Sequence, residues 1–233
     1  MPAVFSSVTR SPFRGRGGPG MSGVAAILLA AGESCRMGPR NKMTLPVAGV
    51  PLLRRIASTL VNSEVGEIVA VLGYEEQTAR ALLAELPLRL VTNERYREGQ
   101  MTSVHCGLEA LREPCKGIMV CLSDQPLLRV EDIDCLVHAF EQQPPGSVLI
   151  PAWQGRRGNP VILAHEHRDA ILAGGPGLGC RQYIDAHPQL VAWQEMDNDH
   201  VVFDLDTPED YQRLLHRLAC AEIASANRAA ARR

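Results

Sequence analysis

Three places in this 233-residue sequence combine residue types that could handle phosphate groups. The first is Leu29-Ala30-Ala31-Gly32-Glu33-Ser34-Cys35-Arg36-Met37-Gly38, followed by Lys42 and Pro46. Small residues let backbone amides approach a ligand closely, and Arg36 and Lys42 add two fixed cations, the mixture that a triphosphate needs. An ordinary strand-to-helix turn is the alternative for the same stretch. The second is Asp124, where a carboxylate directly after an apolar run can hold a hard cation such as Mg²⁺ against phosphate oxygens, or close an Asx-turn. The third is Asp204-Leu205-Asp206. Strand alternation would set both carboxylates on one face, and one of them could complete a metal site. Asp206-Thr207-Pro208-Glu209-Asp210 also reads as a helix start, with Thr207 as N-cap and Pro208 at the first helical position.

Other candidates are weaker. Gly32 and Gly38 are not followed by Lys-Ser/Thr, so this is no Walker A loop, and no Gly-x-Gly-x-x-Gly follows the first apolar run. A dinucleotide dehydrogenase is disfavoured for that reason. Gly174 to Gly179 follows a helical stretch and reads as a mobile loop. His165 and His167, and the Cys135 to His138 pair, lack partners at ligand spacing and suit surface or packing roles. Cys35 sits in the cationic loop, where a lowered thiol pKa is expected.

These residues need a scaffold, and the hydropathy pattern supplies one. Short apolar runs alternate with amphipathic stretches, which makes the class α/β. Strands are expected over Val24 to Ala30, Glu67 to Leu72, Leu88 to Thr92, Gly117 to Leu122, Ser147 to Ile150, Pro160 to Leu163 and Val201 to Leu205. Helices are expected over Pro51 to Val61, Glu75 to Leu86, Thr102 to Leu111, Val130 to Phe140, His165 to Leu172 and Pro208 to Ala219. The polar turn Gln154 to Gly158 is short enough for a hairpin, so at least one antiparallel strand joins an otherwise parallel sheet. Loops after parallel strands gather at one edge of such a sheet, where ligands bind.

Composition sets the outer bounds. Apolar residues make up 45% and charged residues 21%, ordinary for a globular chain. With 24 Lys+Arg against 26 Asp+Glu the formal net charge is −2, and aromatics are only 4%, so neither a global field nor stacking platforms point to nucleic acid or membrane. Seven scattered Cys without a Cys-x-x-Cys pair suit reduced, mostly buried thiols in the cytoplasm. No apolar run approaches the roughly 18 residues of a membrane span. The Gly- and Arg-rich segment 1–22 reads as a disordered tail, with Met21 as an alternative start, residues 23–220 as one domain and 221–233 as a second tail.

With these residues set out, five motifs in order resemble a known family. Leu28-Leu29-Ala30-Ala31-Gly32-Glu33-Ser34-Cys35-Arg36-Met37-Gly38 with Lys42 and Leu45-Pro46, Gly99-Gln100-Met101-Thr102-Ser103-Val104, Ser123-Asp124-Gln125-Pro126, Arg157-Gly158-Asn159-Pro160 and Asp206-Thr207-Pro208-Glu209-Asp210 look like the MobA-like nucleotidyltransferases. Within them the chain is most similar to the molybdenum cofactor cytidylyltransferase (MocA) branch, over about Val24 to Leu218. The resemblance implies a three-layer Rossmann-like fold with a mostly parallel mixed sheet. It implies transfer of CMP from CTP to the phosphate of molybdenum-loaded molybdopterin, with release of pyrophosphate.

Carried onto this sequence, Leu29, Ala30, Ala31, Gly32 and Ser34 would line the nucleotide, and Thr102 and Ser103 would touch its nucleoside. Arg36 and Lys42 would hold the triphosphate, with Asp124 as the third residue of the catalytic set. Asp124 and Asp206 would bind Mg²⁺, while Arg157, Gly158, Asn159 and Arg181 would face the pterin. A recipient molybdoenzyme would be the further partner. The guanylyltransferase branch carries a second Gly where Ala31 stands, which favours cytosine here. Rivals are a guanylyltransferase or other small-phosphate nucleotidyltransferase of the family, and a non-catalytic cofactor-carrying chaperone, which would be expected to lack the metal carboxylates.

Overall fold

The computed structural model describes residues 22–33, 37, 41–174 and 180–230, the last ten as backbone only. Ser34, Cys35, Arg36, Gly38, Pro39, Arg40, the glycine segment 175–179 and both terminal stretches 1–21 and 231–233 lie outside the described residues.

The first strand, β1 (Ser22–Ala30), is buried on both faces. Val24, Ala26, Leu28 and Ala30 join one apolar cluster, while Ala25, Ile27 and Leu29 join another on the opposite side. A continuous apolar run is what a central parallel strand covered by helices on both faces requires. Its neighbours β4 (Ile68–Leu72) and β6 (Cys115–Leu122) pair with it in parallel, and β5 (Arg89–Thr92) extends the sheet beyond β4. On the other side β9 (Val161–Ala164) runs antiparallel to β6 and to β7 (Val148–Trp153). The edge strand β10 (Val191–Glu195) is parallel to β7, giving the order β10-β7-β9-β6-β1-β4-β5. The sheet is mixed and mostly parallel, as expected. The turn expected over Gln154 to Gly158 contains a two-residue strand, β8 (Arg156–Arg157), folded back onto β7. A separate small ribbon joins β2 (Pro46–Val47) to β3 (Val50–Pro51).

Helices cover both faces, completing three layers. One layer holds α1 (Leu52–Asn62), α2 (Glu76–Leu83), α4 (Val130–Glu141) and α7 (Pro208–Ala230), which bury Leu53, Leu83, Leu136 and Leu214 in one cluster. The other holds α3 (Gln100–Ala110), α5 (Arg168–Ala173) and α6 (Cys180–Ala186), which bury Leu108, Ile171 and Tyr183 in the second. Gly107 lets α3 cross β1 closely, because a Cβ there would collide with the Ile27 side chain.

Three expectations need correction. Val201 to Leu205 is not a strand: a 3₁₀ turn over His200–Val202 leads into extended chain, and β10 forms the edge instead. Its backbone is satisfied by single contacts, Leu205 N–H to the Asp124 carbonyl (2.8 Å) and Asn159 N–H to the Val201 carbonyl (2.8 Å). The last helix runs on from Ala219 to Ala230, since nothing in its sequence stops it. The thiols are less buried than expected. Six of them are free among the described residues, with Cys115 and Cys121 buried, Cys106 and Cys180 half-buried, and Cys135 and Cys220 exposed.

Candidate functional site

β1 and β6 end side by side at the same edge of the sheet, so Ala31-Gly32 and Ser123-Asp124 emerge next to each other. A short 3₁₀ turn over Lys42–Thr44, capped by the Asn41 side chain accepting from Met43 N–H (2.9 Å), turns Lys42 inward. Its ammonium donates to Asp124 Oδ2 (2.9 Å), to the Leu205 carbonyl (3.3 Å) and to Asp206 Oδ1 (3.4 Å). Lys42 is buried, and a buried charge persists only when paired and hydrogen-bonded, so the three acceptors account for its position. The two carboxylates that the sequence offered as metal ligands thus meet on one cation.

The helix-start reading of the Asp206 segment holds at the same time. Thr207 caps α7: its N–H and hydroxyl donate to Asp210 Oδ2 (2.8 and 2.9 Å), and its hydroxyl accepts from Asp210 N–H (3.2 Å). This box fixes the preceding residue, and Asp206 is left directed toward Lys42. Asp204 is exposed as a residue. Desolvation of its carboxylate by surrounding protein, with Asp124 and Asp206 nearby, nevertheless pushes it up to about 6.

The donor set suits a divalent cation. Asp124 Oδ1 is buried and has no hydrogen-bond partner among the described residues, while Oδ2 serves Lys42. Two carboxylates bond the ammonium and a third, Asp204, lies within electrostatic reach of all three groups, so these four residues are net negative together. Hard oxygen ligands and surplus negative charge fit Mg²⁺ or Mn²⁺, which take the remaining positions from phosphate oxygens and water. No group of three or more His, Cys, Asp or Glu forms a self-sufficient metal cage among the described residues.

Beside this cluster lies a cleft of about 220 Å³ bordered by Leu29, Ala31, Gly32, Tyr96, Gln100 and Ser103, reaching Lys42 and Asp124 at its other end. Leu29, Ala31, Gly32, Ser103, Lys42 and Asp124 are therefore brought together, with Ala30 buried just behind them. Thr102 takes a different place. Its hydroxyl donates to the Gly99 carbonyl (2.8 Å) and accepts from Asn93 Nδ2 (2.8 Å), so it braces the start of α3. Asn93 also donates to Ser103 Oγ (2.9 Å).

The loop at Arg157 to Pro160 packs on the chain leading to Asp206. Gly158 has no room for a Cβ because the Val201 carbonyl and side chain fill that space. The Val201 carbonyl accepts from both Asn159 N–H (2.8 Å) and Gln125 Nε2 (2.9 Å), joining three segments at one oxygen. Arg157 and Arg181 converge on Asp185 of α6 (3.1 and 3.8 Å).

Sequence reading missed Asn93, Gln125, Tyr96 and Gln100, and a buried clamp further along. Asp132 at the start of α4 accepts from Asn198 Nδ2 (2.9 Å), His200 Nδ1 (2.7 Å) and Arg129 N–H (2.9 Å). It ties down the segment that carries Asp206. A polar residue immediately after an apolar run was the available signal for Asn93. His167, expected to pack, does so: its ring bonds the Gly146 carbonyl (2.8 Å) and the Tyr183 hydroxyl (2.9 Å).

Comparison with known proteins gives the family. Residues 26–190 match the MobA-like NTP transferase domain. The chain is 30% identical over 200 residues to nicotine blue oxidoreductase of Paenarthrobacter nicotinovorans, covering 82% of this chain and 96% of that protein. It is 34% identical over 174 residues to a probable molybdenum cofactor guanylyltransferase of Mycolicibacterium paratuberculosis, covering 70% and 81%. The manganese complex of Rv0371c from Mycobacterium tuberculosis shares its fold, with a TM-score of 0.69 at 19% identity over 84% of this chain and 100% of that one. The chain belongs to the MobA-like NTP transferase domain family, in its Rossmann-like nucleotidyltransferase fold.

Proposed function

We propose that the protein is a cytoplasmic nucleotidyltransferase that moves CMP from CTP to the phosphate of a molybdopterin-type acceptor, releasing pyrophosphate. The observation that carries this reading is Lys42 bridging Asp124 and Asp206 beside the Ala31-Gly32 cleft, with one Asp124 oxygen unpartnered. The molybdenum cofactor guanylyltransferase among its relatives supports the acceptor class. The choice of cytosine rests on Ala31.

The acceptor phosphate attacks the α-phosphorus of the triphosphate, one P–O bond forms, the α–β bridge breaks, and pyrophosphate carries the electron pair away. Little covalent help from protein is needed for this; charge neutralisation and alignment are. No general base is required, because a phosphate monoester is largely ionised at neutral pH. Lys42 would offset the repulsion between two polyanions, and the family resemblance gives Arg36, outside the described residues, the same role. Asp124 and Asp206 would hold a divalent cation, which supplies charge stabilisation at the phosphoryl oxygens. In this reading the Arg157 to Asn159 loop, on the acceptor side, packs at Val201 against the chain leading to Asp206.

The test incubates purified protein with each of the four NTPs and molybdenum-loaded pterin, then identifies the dinucleotide by mass spectrometry and measures pyrophosphate. Cytosine dinucleotide is expected; guanine dinucleotide would reassign the base, and no dinucleotide with any NTP would remove the reaction. The 30% identity to nicotine blue oxidoreductase over 96% of that protein supports a second reading, in which the fold serves a redox reaction on a different substrate. Oxidation or reduction of nicotine blue by the purified protein, without NTP turnover, would favour it.

A further inference from the structure

The cleft has two chemically different ends. Lys42 and Asp124 mark one, suited to phosphates. At the other end stand Tyr96 and Gln100, neither of which belongs to a phosphate-handling set. Resting on the nucleotidyltransferase reading, we propose that Tyr96 and Gln100 select the nucleobase: the Tyr96 ring packs against it, the Gln100 carboxamide bonds its polar edge, and the wall behind them favours a pyrimidine over a purine.

The packing behind Tyr96 is full. A Cβ added at Gly73 would lie 2.9 Å from the Ala31 Cβ and from both Cβ and Cγ of Tyr96, so Gly73 is the gap that lets those two side chains close up. Ala31 is buried and has no space to retreat into. Close-packed walls yield little, and a second aromatic ring would have to displace side chains rather than fill a void. The ring of Tyr96 is held from another direction too. Arg97 places its guanidinium 5.3 Å from the ring centroid, and Glu33, on the chain leaving β1, accepts from Arg97 Nε (2.8 Å). The segment that would border the phosphates is thereby linked to the residue that would border the base.

Gln100 is exposed, and its carboxamide makes no hydrogen bond among the described residues. It opens α3 directly after Gly99, whose φ of 120° permits the sharp entry that brings this position to the cleft. A carboxamide offers a donor beside an acceptor, which complements N3 and the 4-amino group of cytosine. Reversed, it also complements uracil. Guanine presents two adjacent donors on the same edge, N1–H and N2–H, which a carboxylate would match better than an amide.

The test measures equilibrium binding of CTP, UTP, GTP and inorganic tripolyphosphate to the wild-type protein and to the Tyr96→Leu and Gln100→Glu variants. Melting temperatures are taken alongside. CTP and UTP are expected to bind at least about tenfold more tightly than GTP to the wild type. Tyr96→Leu, which keeps an apolar contact on Ala31, should weaken CTP by about tenfold while leaving tripolyphosphate unchanged. Gln100→Glu should shift the CTP-to-GTP ratio toward GTP. Equal wild-type affinities for CTP and GTP would overturn the proposal. So would variants that leave CTP binding unaltered, or that weaken tripolyphosphate as much as CTP. In those cases triphosphates still bind and the nucleotidyltransferase reading stands; a wild-type protein that binds none of the four would end both.

Discussion

Two carboxylates that flank parallel strands, Glu67 buried and Asp124 half-buried, are partnered differently. Glu67, just before β4, accepts from Arg89 through Nε and Nη2 (3.1 and 2.9 Å) at one oxygen, and from the backbone N–H groups of Arg112 and Glu113 (2.8 and 2.9 Å) at the other. Both of its oxygens are used. Asp124, just after β6, gives one oxygen to Lys42, and its other oxygen is buried without a partner among the described residues. A buried carboxylate oxygen without a bond is poised for a partner that the described residues do not supply. Glu67 joins β5 and the α3–β6 connection to β4; Asp124 faces the cleft.

The contrast can be broken most sharply at Asp124. Asp124→Asn should cut turnover by about a hundredfold or more, since metal-ion stabilisation of phosphoryl oxygens is worth several kcal/mol, while the melting temperature stays nearly unchanged. Asp206→Asn should act in the same direction. Unchanged turnover at saturating Mg²⁺ would remove either residue from the site. Glu67→Ala should do the reverse, costing about 3 kcal/mol of unfolding free energy in a denaturant titration because Arg89 loses its counter-charge, with KM for nucleotide unaltered among folded molecules.

Asp132 lies between these extremes, structural itself but tied to the segment that carries Asp206. Burial alone would raise its pKa, but hydrogen bonds from His200, Asn198 and the Arg129 N–H hold it below the usual carboxylate value. A depressed carboxylate stabilises the fold above its unfolded value near 4, and the contribution is lost as pH falls through the lower folded value. Asp132→Asn should therefore cost roughly 1–3 kcal/mol at neutral pH and flatten the acid limb of the stability curve. An acid limb identical to wild type would contradict this. Asp204→Asn should have the smallest effect, a change in turnover of less than about fivefold, because Asp204 makes no bond to Lys42. A loss equal to that of Asp206→Asn would exchange the roles assigned to the two.

The same physics decided which elements were legible in the sequence. β1 and β6 were legible because strands buried on both faces must be apolar throughout, and whatever follows them must reach the binding edge. Lys42, Asp124 and Asp206 were legible because charges beside apolar runs have few stable places. β10 was not, since an edge strand with Trp193 60% exposed shows no sustained alternation. The apolar Val201 to Leu205 run misled because its backbone is satisfied by Asp124 and Asn159 one bond at a time, which no periodicity reveals. The family resemblance implies a nucleoside contact for Thr102, and only its bonds to Asn93 and Gly99 show it bracing the helix.

The most direct measurement is a Mn²⁺ titration followed by electron paramagnetic resonance, in the presence of a non-hydrolysable CTP analogue, on wild type, Asp124→Asn and Glu67→Gln. Wild type and Glu67→Gln should bind the ion with similar affinity, and Asp124→Asn should bind it at least about tenfold more weakly. Equal binding by wild type and Asp124→Asn would contradict the assignment of the unpartnered Asp124 oxygen to a divalent cation.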